Sequence, residues 1–410
     1  MSGIKYKYGI ASFVELSKFK AKKHMALNEM YWAKEYTTLL YLWKYKHSNI
    51  IRYESGSYLD RTNPKSDIKQ RYYELTFPRL HKTLNEASIY DDKSVIQVMI
   101  DLLSAIALCH KLHIMHRDIK KANILYDSGR ATLIDFTHAL RVRTENIKLD
   151  EQVATYSHRA PEVFKYQRKK VAGYTDKIDI WAIGIILFEL VIDSSLYTHL
   201  TPEHTEAETD DFFNKTIPKI YMDHLKAIYV KKKRTMFHSR VYWSWIKKML
   251  SYFPDHRPTA QEMLEIITKF ADDNDIEYIT PTCRDIDSFH SPPPPITTDE
   301  QRDLHMKVMA LVTNYHSIYC INFDVTIMAD VYSILIVSKT LTEKNHVNVT
   351  LAAYLLVCAV IYDCIVDLPD AIELFDTNGI KFQVSAIQSA MIHVMQNNEI
   401  DLFLHDRIQF

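Results

Sequence analysis

His116-Arg117-Asp118-Ile119-Lys120-Lys121-Ala122-Asn123 and Ile134-Asp135-Phe136 are the two stretches that decide the fold of this 410-residue chain. Each adjoins a short β-type run, Ile124 to Tyr126 and Thr132 to Ile134, so both fall at strand ends. Their residue types share a chemistry. In-line movement of a phosphoryl group needs a carboxylate to orient the attacking hydroxyl and oxygen ligands to keep Mg²⁺ on the phosphates. It also needs a cation to offset the charge in transit. Asp118 can do the first, Asn123 and Asp135 the second, and Lys120 the third. His110, His113 and His116 lie close enough in sequence to be mistaken for a metal cluster, and zinc is the minor reading there.

Outward from these stretches, Val95, Val98, Met99, Leu102, Leu103 and Ile106 recur at helical spacing and predict a helix over 95–112. The first ~85 residues mix β-type runs, Ile10 to Leu16 and Arg71 to Phe77, with one helical stretch, Glu29 to Lys46. On the far side the chain turns helical. Ile180 to Ile192 is apolar on nearly every face, as a helix buried inside a lobe must be. Helices around Val241 to Tyr252 and Ala260 to Phe270 close this region.

In order and spacing the two stretches resemble the catalytic and metal loops of the eukaryotic protein-kinase family. The resemblance continues through Ala160-Pro161-Glu162, through Asp179-Ile180-Trp181-Ala182-Ile183-Gly184, and to Arg257. It implies an α+β bilobal fold, with a small β-rich N-lobe and a helical C-lobe over residues 1–270, ATP and Mg²⁺ as nucleotide and metal, and protein substrates. Asp118 and Lys120 take the catalytic roles by this resemblance, and Asn123 and Asp135 hold the metal. Glu162 pairs with Arg257, Asp179 braces the catalytic loop, and Thr155 bonds back to Asp118. Lys120, two residues after Asp118, is similar to the Ser/Thr branch. Residues 135–162 resemble the cyclin-dependent group without a gap. Asp150 then stands where that group carries a phosphothreonine, as a charge mimic facing Arg117 and Arg141 or as a solvated loop residue.

The departures lie in the small lobe. Glycine numbers 7 in the whole chain, and of the family's glycine loop only Gly9 is in place, with Ala11 and Val14 where the family has Gly. Gly9 and Val14 border the expected nucleotide site, and the side chains there should crowd the phosphates. Met25-Ala26-Leu27-Asn28 fits the strand pattern with Asn28 in the phosphate-contacting lysine's slot, and Lys22 and Lys23 are the nearest substitutes. Glu35 is the candidate carboxylate partner, and Leu80 the hinge residue whose backbone meets adenine. Thr137 replaces the glycine after Asp135-Phe136, and a β-branched residue resists positive φ.

The rest of the chain reads as a linker and a second domain. Residues 271–298 shift to Asp, Thr and Ser with the run Pro292 to Pro295, which favours stiff extended chain. From 299 to 410 five helix-length apolar patterns follow, roughly 301–316, 324–339, 348–364, 367–377 and 380–396, the third apolar almost all round. This bundle resembles the cyclin box, with Ala352-Ala353-Tyr354-Leu355-Leu356 similar to its central helix. Ala359 stands where that family has a marker Lys, while Asp363 and Asp367 offer acidic contacts. The resemblance implies a kinase activated in cis by its own cyclin-like domain; the other reading is an unrelated helical domain that docks other proteins.

Composition agrees with an ordinary globular protein: 47% of residues are apolar and 25% charged. A net charge of -1 gives no electrostatic argument for nucleic acid or a membrane surface as partner. Five scattered cysteines without CxxC pairs suit a reducing compartment, and no signal-peptide pattern opens the chain, so an intracellular site, cytoplasmic or nuclear, is expected. Lys231 to Arg234 reads as a nuclear-import patch or, more plainly, a solvated helix end. Scarce Gly with abundant Ile, Tyr, Lys and Asn suits an AT-rich genome such as that of a large DNA virus. Two functions from different classes follow: an active Ser/Thr kinase, or a pseudokinase scaffold in which the eroded glycine loop has ended catalysis.

Overall fold

The computed structural model describes residues 5–8, 12–27, 31–79, 82–89, 91–141, 155–167, 173–192, 194–198, 204–216, 239–284, 298–319, 328, 331–332, 334–336, 338–342, 344–361, 368–369, 372 and 382–396. Gly9, Ala11, Asn28, Leu80, Asp150, Lys231 to Arg234, Pro292 to Pro295, Asp363 and Asp367 lie outside the described residues, as do half of the pattern over 324–339 and most of that over 367–377.

Five antiparallel strands form the first layer: β1 (Lys5–Tyr8), β2 (Ser12–Leu16), β3 (Lys20–Ala26), β4 (Ser55–Thr62) and β5 (Lys69–Pro78), in the order β1-β2-β3-β5-β4. Side chains alternate between the two faces. Tyr73, Leu75 and Phe77 of β5 join Met25 of β3 in the main core, whereas Tyr72, Phe13 and Ala26 form a small cluster on the other face. Helix α1 (Tyr31–Trp43) packs against β3, and its buried Trp32 lies against Tyr58 and Tyr73. Strand β4, Ser-Gly-Ser-Tyr-Leu-Asp-Arg-Thr, is a largely exposed edge, and its sequence lacks the apolar alternation that would have announced it.

Helix α2 (Asp92–Lys111) starts at Asp91, whose side chain accepts from Ser94 N at 2.8 Å. By length and composition α2 could cross a bilayer; here it is a core helix, mostly buried within the protein. The short β6 (Ile114–Met115) pairs with β9 (Leu140–Arg141), and β7 (Ile124–Asp127) with β8 (Arg130–Leu133). Ser128 and Gly129, both at positive φ (50° and 81°), make the two-residue turn between β7 and β8. Helices α3 (Pro161–Gln167), α4 (Lys177–Ile192), α5 (Glu206–Asp211), α6 (Ser239–Met249) and α7 (Ala260–Asp273) follow. Every residue of α4 from Ile178 to Ile192 is buried. Gly184 lets α6 approach closely, because a Cβ there would sit 2.9 Å from Cβ of Met249.

Helix α7 carries on to Asp273, inside the stretch read as linker, and the chain beyond it stays bound to the first region. Gln97 exchanges hydrogen bonds with Ile279, and Ser48 with Thr282; Arg284 N donates to Tyr45 O at 2.8 Å. Helices α8 (Asp299–Tyr319), α9 (His346–Ile361) and α10 (Val384–Met395) come next. Val349 to Cys358 of α9 are buried whichever way they point, because α9 packs against α8, α10, α1 and β9.

Candidate active site

Strand alternation settles which lysine enters the site. Lys22 and Lys23 are neighbours on β3 and so point to opposite faces. Lys22 Nζ pairs with Glu74 at 2.9 Å, while Lys23 points under the sheet toward α1. Its Nζ lies 2.6 Å from Oε2 of Glu35 and 2.8 Å from Oδ1 of Asp135. Lys23 therefore meets the carboxylate of α1, and Val14 stands across from it on β2. Burial opposes the Lys23 charge, but Asp135 and Glu35 outweigh it and hold the ammonium above its ordinary pKa. Burial likewise pushes Asp135 up, and Lys23 and Thr137 outweigh it, holding that carboxyl well below the usual carboxylate range. For Glu35 burial wins and its carboxyl is raised. The side chain of Glu35 is 1% exposed and that of Asp135 34% exposed, so Asp135 is the member of the cluster open to an incoming ligand.

The catalytic-loop candidates come together as a second cluster. Asp118 Oδ1 accepts from Thr155 Oγ1 at 2.7 Å and from Thr155 N at 3.1 Å. Its Oδ2 accepts from Lys120 Nζ at 2.8 Å and Asn123 Nδ2 at 2.9 Å, so the carboxylate is held on both sides. Lys120 also donates to Thr155 Oγ1 at 2.7 Å. Backbone bonds join this loop to that of Asp135: Ile134 N donates to Asn123 O at 3.0 Å, and the His116 ring bonds Ile134 O at 3.1 Å. Asp118 N donates to Nδ1 of His116, which assigns the ring proton to Nε2; burial lowers the pKa of His116 and keeps it neutral.

Asp179 holds the loop from below. It accepts from His116 N at 2.8 Å, Arg117 N at 2.9 Å and His110 Nε2 at 3.0 Å. Arg117 sits at φ 66°, a left-handed conformation that needs such fixing. Its side chain bonds His138 O at 2.7 Å and Tyr174 OH at 3.1 Å, and Arg141 bonds Leu112 O and Tyr41 OH. Farther out, Glu162 and Arg257 form a buried two-bond pair, 2.6 and 2.9 Å, with the guanidinium 4.8 Å from the Trp181 ring centre.

Thr137 departs from the sequence reading. The residue at positive φ is Asp135 (65°), and Thr137 is not in that region, so its β-branch meets no such strain. Its hydroxyl instead lies 2.8 Å from Lys23 Nζ, 2.8 Å from Glu35 Oε2 and 2.6 Å from Asp135 Oδ1. Its hydroxyl is visible in the sequence; two of its partners, Lys23 and Glu35, are far away along the chain.

Oxygen donors suited to a hard cation remain in both clusters. The bonds of Asp135 to Lys23 and Thr137 both fall on Oδ1, and Asn123 bonds Asp118 through Nδ2. Oδ2 of Asp135 and Oδ1 of Asn123 are the oxygens that fit Mg²⁺, which takes one or two protein oxygens and completes its shell with phosphate and water.

Comparison with known proteins agrees with this arrangement. The protein kinase domain family matches residues 13–266. Cyclin-dependent kinase-like 2 of Oryctolagus cuniculus is 28% identical over 218 residues, 48% of this chain and 37% of that protein. Serine/threonine-protein kinase Nek2 of Homo sapiens is 28% identical over 228 residues, 54% of this chain and 46% of its own length. Cyclin-dependent kinase 20 of Danio rerio reaches 42% identity over 101 residues, 24% of this chain and 28% of that kinase. The chain thus spans less than half the length of each of these relatives. With the catalytic and metal loops joined and the β3 lysine seated on the α1 glutamate, the chain belongs to the protein kinase domain family.

Proposed function

We propose that the chain is a serine/threonine-protein kinase that moves the γ-phosphate of ATP onto hydroxyls of protein substrates. The observation that carries this reading is the Lys23–Glu35–Asp135 cluster joined by backbone bonds to the Asp118–Lys120–Asn123 cluster. Asp118, already oriented on both sides, receives the proton of the attacking hydroxyl, and Lys120 offsets charge on the phosphoryl group. Lys23 steadies the phosphates while Glu35 keeps its ammonium in place. Asn123 and Asp135 would hold Mg²⁺, which when bound neutralises phosphate oxygens. Gly9, Val14 and Leu80 are proposed to border the nucleotide.

In the same proposal the helices from Asp299 onward form a cyclin-like unit that activates the kinase region in cis. Support comes from α9, which packs both on α1, the carrier of Glu35, and on β9, which follows the Asp135 loop. Tethering on one chain gives such a unit a high effective concentration.

Transfer of label from radioactive ATP to a protein substrate, measured beside Asp118→Asn, tests the first statement; equal labelling by the two proteins sinks it, and absence of labelling favours a pseudokinase scaffold. Truncation at residue 296, with melting to check that the remainder stays folded, tests the second. Full activity in the shortened chain removes activation in cis.

A further inference from the structure

We propose that Thr137 is a positioning residue whose hydroxyl ties α1 to the Asp135 loop and settles which oxygen of Asp135 meets the nucleotide's metal. The proposal rests on the kinase reading above. Two carboxylates and one ammonium carry a net negative charge in a mostly enclosed space, so the ion pairs alone leave the cluster short of donors. A threonine hydroxyl adds one proton and a lone-pair acceptor without adding charge. Oγ1 accepts from Lys23 at 2.8 Å and can donate to Asp135 Oδ1 at 2.6 Å or to Glu35 Oε2 at 2.8 Å. It is thus within bonding distance of all three charged groups. Because Lys23 and Thr137 both engage Oδ1, Oδ2 is the oxygen that carries none of these bonds.

Glycine, which the family pattern has here, makes none of these bonds. The same substitution restricts the backbone of the loop after Phe136, a residue fully buried with its ring 4.7 Å from that of His116. With β-branched backbone and hydroxyl acting together, the loop and α1 move as one body. This is a local means of holding Lys23 and Asp135 in register in a chain whose glycine loop is reduced.

The test compares the full chain with Thr137→Val, which keeps shape and removes the hydroxyl, and Thr137→Ser, which keeps the hydroxyl. Steady-state kinetics give kcat and KM for Mg·ATP, melting gives the shift produced by Mg·ATP, and hydrogen exchange of the nucleotide-free chain reads Tyr31–Trp43. Loss of a hydrogen bond to charged groups raises the KM for Mg·ATP about tenfold in Thr137→Val, with a smaller Mg·ATP melting shift and faster exchange in α1. Thr137→Ser returns these values to within about twofold of wild type. Equal KM and equal melting shift in the Val and Ser variants overturn the proposal, as does a Val variant that loses only its ligand-free melting point. Should Thr137→Val fail to fold, Thr137→Ala stands in its place with the same expectations. A wild-type chain that neither binds nor uses Mg·ATP overturns the kinase reading itself, and this one with it.

Discussion

Replacing Asp179 by Asn removes one charge and turns one acceptor oxygen into a donor with almost no change of shape. In the native protein Oδ2 takes two bonds, from His116 N and His110 Nε2, and Oδ1 takes one, from Arg117 N. The amide keeps its oxygen toward the two-bond side and sets its NH₂ against Arg117 N, so one bond to a charged acceptor is lost, about 1.5–3 kcal/mol. The Arg117 N–H then loses this bond at φ 66°, and release of the residue relieves roughly 1 kcal/mol of left-handed strain, which offsets part of the loss. The net loss, about 1–2 kcal/mol, corresponds to a fall in melting temperature of roughly 4 °C for a domain of this size. Because Arg117 adjoins Asp118, its release misaligns the carboxylate, and kcat falls by at least about tenfold with little change in KM for Mg·ATP. Differential scanning calorimetry at a fixed scan rate and steady-state kinetics read both effects. A melting point within about 1 °C of wild type would refute the claim that these bonds hold the loop.

Glu162→Ala leaves the fully buried guanidinium of Arg257 without its carboxylate, and a loss of about 3–5 kcal/mol in urea denaturation is expected. Lys23→Met removes the cation between Glu35 and Asp135, so Mg·ATP should no longer raise the melting point, measured by thermal shift. His24, His47 and His158 are each pushed down to about 4, chiefly by burial, from an ordinary value of 6.5. The unfolded chain therefore binds protons that the folded chain excludes between these values. Stability is full above about pH 6.5 and falls as pH drops toward 4, by up to about 1.4 kcal/mol per pH unit for each histidine. Denaturation midpoints across that window check the sign, and a midpoint that rises on acidification contradicts it.

Helices were legible where apolar spacing was strong. The patterns over 95–112 and 260–270 became α2 and α7; α2 starts three residues earlier because Asp91 caps it there, whereas α7 starts at the expected Ala260, capped by Thr259 with Glu262, and runs three residues further. The all-round apolar run near 348–364 became α9, surrounded as its composition required. Strand β4 escaped notice, since an exposed edge has no apolar face to reveal it. Within the stretch from residue 271, the bonds of Ile279, Thr282 and Arg284 to Gln97, Ser48 and Tyr45 all use backbone atoms of that stretch and leave little compositional trace.

By itself the sequence singled out the two segments that hold the candidate catalytic and metal-binding residues, because their chemistry is concentrated in short stretches whose internal spacing is set by the local backbone. Only the tertiary structure decided that Lys23 rather than Lys22 meets Glu35, since alternation makes adjacent lysines opposite without saying which face α1 covers. It alone turned Thr137 from a backbone liability into a shared hydroxyl bridging residues over a hundred positions apart. Long-range contacts of that kind arise from packing of whole elements, and no window of neighbouring residues encodes them.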